Sequence, residues 1–396
     1  MSKFGKDCFI SRELSWLEFN SRVLRQATQE INPLLERIKY LSIVYSNLDE
    51  YFMIRVGSIH MQIQSGCSQE DCSVYTPREQ LSAIAKRARK LYKDTEKVYN
   101  GIRREIESMG IRITGRDNLD DAQAEFCKRF FLDDVYPIIS PIVAEKGHIF
   151  PFIPGKSLNL AVLLEGSDGE PVFATIQLPT SCGRLIELPS DNGKQFITIE
   201  ELVRLRLKKI FPNRVILASA VYRLTRNGDL DIDETGDLLS AVKKSLLRRS
   251  QGVVVRLETE KSIDPRLRKL MRKKLHIEDD DIYETGCPVG FCLPKDAVKL
   301  LDTDGALSYK PFVPAIQSSF LTGESIFDII RRGDMLMFHP YDSFTPVVRL
   351  LQESAGDPAV VAPDSKAIVE SKPLKSMEWL LPRVRAAPLQ KRRTEP

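Results

Sequence analysis

Polar residues interrupt an apolar segment of helical spacing at Ser46-Asn47-Leu48-Asp49-Glu50. Their amide, hydroxyl and carboxylate groups can form hydrogen bonds to a ligand or carry charge. Serine, asparagine and aspartate compete with the helical backbone for hydrogen bonds, so such a cluster marks a helix cap or a binding site. As a cap, Asn47 would start a new helix with Glu50 at its third position. As a binding residue, Asn47 offers a donor and an acceptor that match the acceptor and amino group on an adenine edge. The residue chemistry favours the cap, and the two roles are compatible.

Gly155-Lys156-Ser157 has the ending of a phosphate-binding P-loop, but its surroundings do not fit that motif. The motif needs a glycine where this chain has Phe150, and it needs backbone N–H groups that Pro151 and Pro154 cannot supply. The segment is therefore predicted to be a turn that enters a strand.

Histidines and cysteines give no stronger candidate for catalysis or metal binding. Structural or surface roles are favoured for the four histidines, since none has an obvious acidic partner or a basic residue two positions on: His60, His148, His276 and His339. The seven cysteines form an odd, scattered set, which predicts reduced thiols. The closest cysteine pairs have no histidine at zinc-site spacing, so no metal site is expected.

The net charge of +4 lies entirely in residues 363–396, which hold eight basic and four acidic side chains, whereas residues 1–362 hold 50 of each. A balanced body of this kind does not predict a nucleic-acid partner. Two segments, 86–93 and 266–274, are rich in Lys and Arg, and a solvated helix face is the favoured interpretation of both. Because no apolar run of about 18 residues and no secretory signal occur, we expect a cytoplasmic location, no transmembrane segment and membrane contact only through partners.

Apolar periodicity predicts the elements that would position Asn47. Residues 1–110 have helical spacing and predict a helical bundle. Its third helix has a start signal in Thr76-Pro77-Arg78-Glu79 and a stop at Gly110. Residues 111–312 alternate strand-like and helical patterns, which predicts an α+β domain.

Within these regions, the sequence predicts several individual elements. Within the α+β domain, helical patterns fall near 199–210, 236–249 and 264–274, and Arg226-Asn227-Gly228-Asp229 predicts a hairpin with a type I′ turn. Residues 313–361 hold a helical pattern near 324–332 and a strand-like stretch at 335–338. Residues 362–396 have little periodicity, and we expect them to be disordered.

Several long motifs stand out around and beyond the Ser46–Glu50 segment: Arg12–Leu17, Phe19-Asn20, Asn32–Arg37, Phe52, Arg55, Ile139-Ser140-Pro141, Phe150-Pro151-Phe152, Ser157–Val162, Thr225–Leu230 and Gly323–Phe344. Together they resemble the bacterial polyphosphate kinase family over residues 9–361.

The resemblance implies reversible transfer of the terminal phosphate of ATP to inorganic polyphosphate, through a phosphohistidine and with Mg²⁺. It also implies an amino-terminal helical domain, a head domain used in dimerisation and two carboxy-terminal catalytic domains that resemble phospholipase D. In this chain we expect the helical domain at 1–110, the α+β head domain at 111–312 and the opening of the first catalytic domain at 313–361, followed by a divergent tail at 362–396. By motif match, Asn47 is the asparagine that the family contributes to its adenine pocket. This match puts the ATP-binding role of Asn47 ahead of the cap.

The sequence departs from the family after Val361, where the match ends, and no histidine stands in the family's His-x-Lys motif. We therefore expect no catalytic residue and no magnesium ligand in this chain, and negligible transferase activity by itself. ATP and polyphosphate are the expected ligands, and a second copy or a full-length kinase is the expected partner. The alternative is a non-catalytic dimerisation or interaction module derived from the family.

The opening of the catalytic domain is also expected to present an apolar patch. Its members, which in the family would pack into the rest of that domain, are Phe338, Tyr341, Phe344 and Val348.

Overall fold

Two compact units make up the fold, one over Met1–Tyr309 and one that begins at Lys310. The computed structural model describes residues 8–71, 75–145, 150–166, 169–191, 193–228, 252–291 and 305–357. Several sequence predictions fall outside those residues: the helix near 236–249, the role of His148 and the disordered tail at 362–396.

Helices open the first unit, as the periodicity predicts: α1 (Arg12–Gln26), α2 (Leu34–Tyr51), α3 (Gly57–Gln64) and α4 (Pro77–Ser108). Helix α4 begins as expected, because Thr76 and Glu79 form a reciprocal capping box. Gly110 follows the helix with a φ of +80°, a conformation that glycine adopts without strain. The predicted start and stop of this helix are confirmed.

The helical core forms where the apolar faces of α1, α2 and α4 meet. Leu17, Val44 and Leu91 are fully buried there. The same core includes Val255 and Tyr283, which belong to the strands described next. The helical region is therefore packed directly onto a sheet.

Strands and short helices fill the rest of the first unit. The strands are β1 (Ile111–Ile113), β2 (Pro141–Ala144), β3 (Leu158–Glu165), β4 (Pro171–Gln177), β5 (Leu185–Leu188), β6 (Lys194–Thr198), β7 (Ile216–Arg226), β8 (Val254–Glu260) and β9 (Ile282–Thr285). The helices are α5 (Asp121–Phe130), α6 (Ile199–Leu205), α7 (Leu207–Ile210) and α8 (Pro265–Leu275). This mixture of helix and sheet agrees with the predicted α+β class.

The larger sheet has the order β2-β4-β3-β7-β8-β9 and is antiparallel except for the β8–β9 pair. Alternating residues of β3 face opposite sides of it, so that Leu160 packs in one core and Ala161 in another. The smaller sheet has the order β1-β6-β5, with β1 parallel to β6.

The predicted hairpin at Arg226–Asp229 is wrong. Strand β7 ends at Arg226, which pairs with Val254 of β8, so the connection spans residues 227–253. A type I′ turn needs positive φ at both central residues, and neither Asn227 nor Gly228 has it. Asn227 is instead buried, and its backbone N–H donates to the Val253 carbonyl.

The second unit contains α9 (Ile326–Arg331) and α10 (Thr345–Gly356) around a small core of Phe320, Ile326 and Ile329. The helix predicted near 324–332 is confirmed, whereas residues 335–338 form no strand. In the expected apolar patch, Phe338 and Tyr341 are exposed and stacked on each other, and Phe344 and Val348 are half-buried. In the described part of the chain, no helix has the length and apolar character needed to cross a bilayer.

Candidate functional site

Asn47 lies inside a continuous helix, because α2 runs from Leu34 to Tyr51 with Pro33 as its N-cap. The predicted cap at Asn47 is therefore wrong. The helix continues because one of its faces is buried, with Val44 and Leu48 in the helical core. Burial of that face outweighs the weak local preferences of serine and asparagine. Asn47 itself is half-buried.

Two carboxamides in series fix which way Asn47 faces. Asn20 of α1 is fully buried, and its Nδ2 donates to the Val44 carbonyl oxygen at 3.1 Å. A carbonyl oxygen can only accept, so the amino group of Asn20 faces Val44 and its Oδ1 faces Asn47. Asn47 Nδ2 donates to that Oδ1 at 3.0 Å. Asn47 thus turns its own Oδ1 and its second N–H away from Asn20, and neither has a hydrogen-bond partner among the described residues.

Apolar side chains flank this amide on both helices. Phe19 precedes Asn20 and is 46% exposed, and Ile43 lies one turn before Asn47 and is 43% exposed. Trp16 stacks on Tyr51 with ring centroids 4.5 Å apart. A hydrogen-bonding pair bordered by apolar side chains is the usual composition of a site for a flat heterocycle.

Asp49 joins the same helix to the larger sheet through two arginines. Its carboxylate accepts hydrogen bonds from Arg223 Nη1 at 2.7 Å and from Arg256 Nη2. Glu258 lies 3.1 Å from Arg223 and 3.3 Å from Arg256, and it accepts from the Tyr92 hydroxyl at 2.6 Å. Two carboxylates therefore face two guanidiniums, and the buried charges balance.

This arrangement keeps Asp49 ionised. Burial alone would raise the pKa of the Asp49 carboxyl, but the charges and hydrogen bonds of Arg256 and Arg223 outweigh burial and hold that pKa below its ordinary value. Arg256 is fully buried, donates to Thr225 Oγ1 and lies over the Phe52 ring. Asp49 is thus engaged in holding α2 against the sheet.

The described histidines lie in three different settings, and one of them has an acidic neighbour that sequence reasoning did not find. His60 Nε2 lies 3.1 Å from Asp281 Oδ1. His276 ends α8 with a left-handed backbone, and His339 Nδ1 lies 2.9 Å from the carbonyl oxygen of Asp342.

The Gly155-Lys156-Ser157 segment is the turn that its prolines predict. Lys156 has a φ of +65°, Ser157 Oγ donates to the Pro154 carbonyl at 2.8 Å, and β3 begins at Leu158. The prediction of a turn that enters a strand is confirmed.

The two basic segments make local ion pairs. Arg87 of α4 pairs with Glu18, and Arg268 and Arg272 of α8 pair with Asp279. These pairs neutralise part of each basic face, which fits the favoured interpretation of solvated surfaces.

Magnesium does not fit the described residues. The ion prefers clustered oxygen ligands, and no group of three histidine, cysteine or acidic side chains able to hold a metal occurs in the described part of the chain. Asp49, two positions after Asn47, already faces two guanidiniums. We therefore assign no chemical step through a metal to these residues.

Sequence reasoning missed Asn20 as a site residue and missed the partners of Asp49. A signal for Asn20 exists, because it stands between Leu17 and Leu24 on the apolar stripe of α1, where a polar residue needs a buried partner. Arg256 and Glu258 give no such signal, since they alternate with Val255 and Leu257 as the solvent-facing residues of a half-exposed strand would. The partners themselves lie up to 207 positions apart in sequence, so no local pattern reveals them.

Fold and site together define a multidomain protein in which a helical region, packed on an α+β region, presents an outward-facing carboxamide. Three domain models of one family match the sequence: the polyphosphate kinase N-terminal domain over residues 9–114, the middle domain over 122–292 and C-terminal domain 1 over 325–366. The chain belongs to the polyphosphate kinase family.

Curated relatives support this assignment. The polyphosphate kinases of Exiguobacterium sibiricum and Halalkalibacterium halodurans are 34% and 36% identical to this chain, and polyphosphate kinase 1 of Chlorobaculum tepidum is 37% identical. Each alignment covers 89% of this chain and 50–52% of the relative. The chain therefore spans about half the length of these relatives.

A crystal structure of polyphosphate kinase from Porphyromonas gingivalis has the same fold over the aligned region. The TM-score is 0.69 at 24% sequence identity, and the alignment covers 90% of this chain and 50% of that one.

Proposed function

We propose that this chain supplies the adenine-recognition surface of a polyphosphate kinase and that Asn47 binds the base of ATP. The observation that carries the proposal is the outward-facing Oδ1 and N–H of Asn47, which are held by Asn20 and lack partners among the described residues. Adenine carries an amino donor beside a ring-nitrogen acceptor, so one carboxamide satisfies both. Phe19 and Ile43 would cover the apolar faces of the ring.

The reaction to which this surface contributes is, in our proposal, the one that the family resemblance implies. The terminal phosphoryl group of ATP passes to a histidine with release of ADP, and then from that histidine to the end of a polyphosphate chain. We propose that this chain performs neither transfer by itself, because none of its four histidines has a lysine two positions on. ATP as the ligand also suggests a cytoplasmic location.

The unit that begins at Lys310 is, in the same proposal, the opening of a phospholipase D-like catalytic domain. The match of residues 325–366 to C-terminal domain 1 of the family supports this assignment. Its exposed Phe338 and Tyr341 would then be covered by further parts of such a domain.

Titration of the purified chain with ATP tests the role of Asn47. We expect Asn47→Ala to weaken ATP binding by about tenfold, because a lost base contact costs about 1–3 kcal/mol. Asn100→Ala removes an exposed asparagine from α4 and should leave the affinity unchanged. Equal ATP affinity in the parent and in Asn47→Ala, with lowered thermal stability in the variant, would return Asn47 to a purely structural role.

The same preparation tests the proposed lack of activity. Incubation with ATP and Mg²⁺ should yield neither phosphorylated protein nor elongated polyphosphate. Elongation by the purified chain would overturn this part of the proposal.

A second candidate function is self-association through the α+β region, and β2 is the observation that favours it. This strand lies at one end of the larger sheet and pairs only with β4, which leaves one edge open among the described residues. The side chains of Ile142 and Phe152 are exposed beside it. An open strand edge with apolar side chains is a template for pairing with another chain.

A further inference from the structure

Asn20 occupies a position where a polar side chain is costly. It is fully buried between two helices, in a stripe otherwise formed by Leu17 and Leu24. A buried amide without partners would destabilise the fold, and an apolar residue would pack there without that risk. The presence of a carboxamide therefore calls for a function beyond packing of α1 on α2.

We infer that Asn20 is a positioning residue that selects 6-amino purines over 6-oxo purines by holding the Oδ1 of Asn47 outward, an inference that rests on the proposed role of Asn47. The selection follows from the direction of two hydrogen bonds. Val44 O can only accept, which orients Asn20, and the Oδ1 of Asn20 can only accept, which orients Asn47. A helix carbonyl that itself carries no base specificity thus sets the orientation of the group that meets the base.

An unrestrained asparagine would not discriminate between these bases. Its carboxamide presents oxygen or nitrogen to a ligand after a half turn about its last side-chain bond, and that torsion has broad, nearly two-fold preferences. With oxygen outward, Asn47 accepts from the 6-amino group of adenine. With nitrogen outward, it would donate to the 6-oxo group of hypoxanthine or guanine. In this structure the second orientation would set two acceptors, the Oδ1 of Asn20 and the Oδ1 of Asn47, against each other.

Inosine triphosphate is the probe that isolates this effect, because it differs from ATP only at the six-position and the adjoining ring nitrogen. We expect the parent chain to bind ATP about tenfold or more tightly than inosine triphosphate. In Asn20→Ala, the affinity for ATP should fall while that for inosine triphosphate holds or rises, so that the preference drops to about threefold or less. Both titrations use the full chain at one Mg²⁺ concentration.

A matched control separates positioning from stability. Asn32 is also buried in the helical region, and its Nδ2 donates to the Gln26 carbonyl at 2.8 Å. Asn32→Ala should lower the thermal stability as Asn20→Ala does and leave the ratio of the two affinities unchanged. Loss of folded protein lowers both affinities equally and cannot change their ratio.

A double variant tests whether Asn20 acts through Asn47. In the Asn47→Ala background, Asn20→Ala should leave the ratio unchanged, since the group that it orients is gone. Should Asn20→Ala fail to fold, Asn20→Ser keeps a polar group at the buried position but is too short to bridge Val44 and Asn47.

The outcomes distinguish this inference from the proposed function. A parent chain that prefers ATP, with a preference that survives in Asn20→Ala, overturns the positioning role alone. A parent chain with equal affinity for both nucleotides, or with affinity for neither, overturns the proposed adenine site and the inference together.

Discussion

Asn47 and Asp49 lie two positions apart on α2 and face different surroundings. Asn47 keeps two polar groups outward, whereas Asp49, two positions on, is turned inward to Arg223 and Arg256. Asn20 orients the first residue, and the second anchors the helix to the larger sheet. The competition between polar side chains and helix at Ser46–Glu50 is therefore settled by burial of the apolar face of α2 and by the tertiary ion pairs of Asp49, and a sequence pattern does not reveal these ion pairs.

Asp49→Asn tests the anchoring role. The change keeps the shape of the side chain but leaves two guanidiniums facing Glu258 alone, and loss of one partner of a buried ion pair costs about 3–5 kcal/mol. We expect a loss of about 3 kcal/mol in urea unfolding at pH 7, at the low end because Asp49 retains some exposure. Glu105→Gln breaks an exposed pair with Arg37 and should cost less than about 1 kcal/mol.

The pH dependence of this difference has a fixed sign. The pKa of Asp49 is held below its ordinary value in the folded state, so its ionised form contributes stability above the unfolded pKa of about 3.9. That contribution is lost as pH falls through the lower folded pKa. The parent and Asp49→Asn should therefore differ by a constant amount above about pH 5 and converge below about pH 4. A gap that persists unchanged at pH 3 would contradict the ion-pair account.

The segment after β7 packs closely against the turn between α2 and α3, next to the ion pairs of Asp49. The residues after α2 form one π-helical turn, Phe52–Val56, before α3 begins at Gly57. The backbone N–H of Gly228 donates to the Met53 carbonyl at 3.0 Å, and a Cβ at Gly57 would lie 2.3 Å from Asn227 Oδ1. Close approach of the 227–228 segment thus requires glycine at the start of α3 and stabilises the π turn.

Gly57→Ala tests this contact. Alanine favours helix, but its methyl group would collide with the buried Asn227, and overpacking of this kind costs about 1–3 kcal/mol. Gly101→Ala is the matched control: it lies within α4 with open space around its Cα, and we expect it to stabilise the chain by about 0.5–1 kcal/mol. Thermal unfolding measures both. The double variant with Asn227→Ala should recover part of the loss, and no recovery would contradict the steric explanation.

Sequence predicts those helices and strands whose ends are defined by neighbouring residues. The capping residues Thr76 and Glu79 define the start of α4 without help from the rest of the chain. The hairpin at Arg226–Asp229 failed because Asn227 is held by contacts with α3 that lie 170 positions away. Strand β1 was missed for the same reason, since it is only 3 residues long and pairs with β6 across more than 80 positions.

For the candidate site as well, one part was predicted from sequence and another part was not. Asn47 came from residue chemistry and motif resemblance, and its interpretation as a ligand contact stays a prediction. Its orientation was beyond the reach of sequence, because it depends on Asn20 and Val44 on two helices that pack only in the folded chain.

The whole molecule has a larger sheet whose two ends differ in how they are protected. At one end, β9 follows the acidic 3₁₀ turn Asp279–Asp281, which Arg89 contacts from α4. At the other end, β2 presents a four-residue edge with exposed Ile142 and Val143. Two such edges can pair about a two-fold axis, because antiparallel pairing of identical strands is self-complementary. A second copy of this chain is therefore the occupant that we propose for the β2 edge.

Ile142→Lys tests that assembly. We expect the parent to sediment as a species of twice the 45.0 kDa chain mass. Charged residues, lysine above all, prevent pairing at strand edges. We therefore expect the variant to sediment as a single chain, with the dimer dissociation constant raised about tenfold or more. Ile31→Lys changes an isoleucine that is even more accessible, 89% exposed against 47% for Ile142, but that lies between α1 and α2, and it should leave the dimer intact. ATP binding should be the same in all three proteins, because Asn47 lies on α2 while β2 is at the far end of the strand order from β8 and its partner β9.

Two outcomes would contradict this assembly. A parent that sediments at the mass of one chain at every concentration tested would remove self-association from the functions of this edge. A dimer that survives Ile142→Lys would place the contact elsewhere on the molecule.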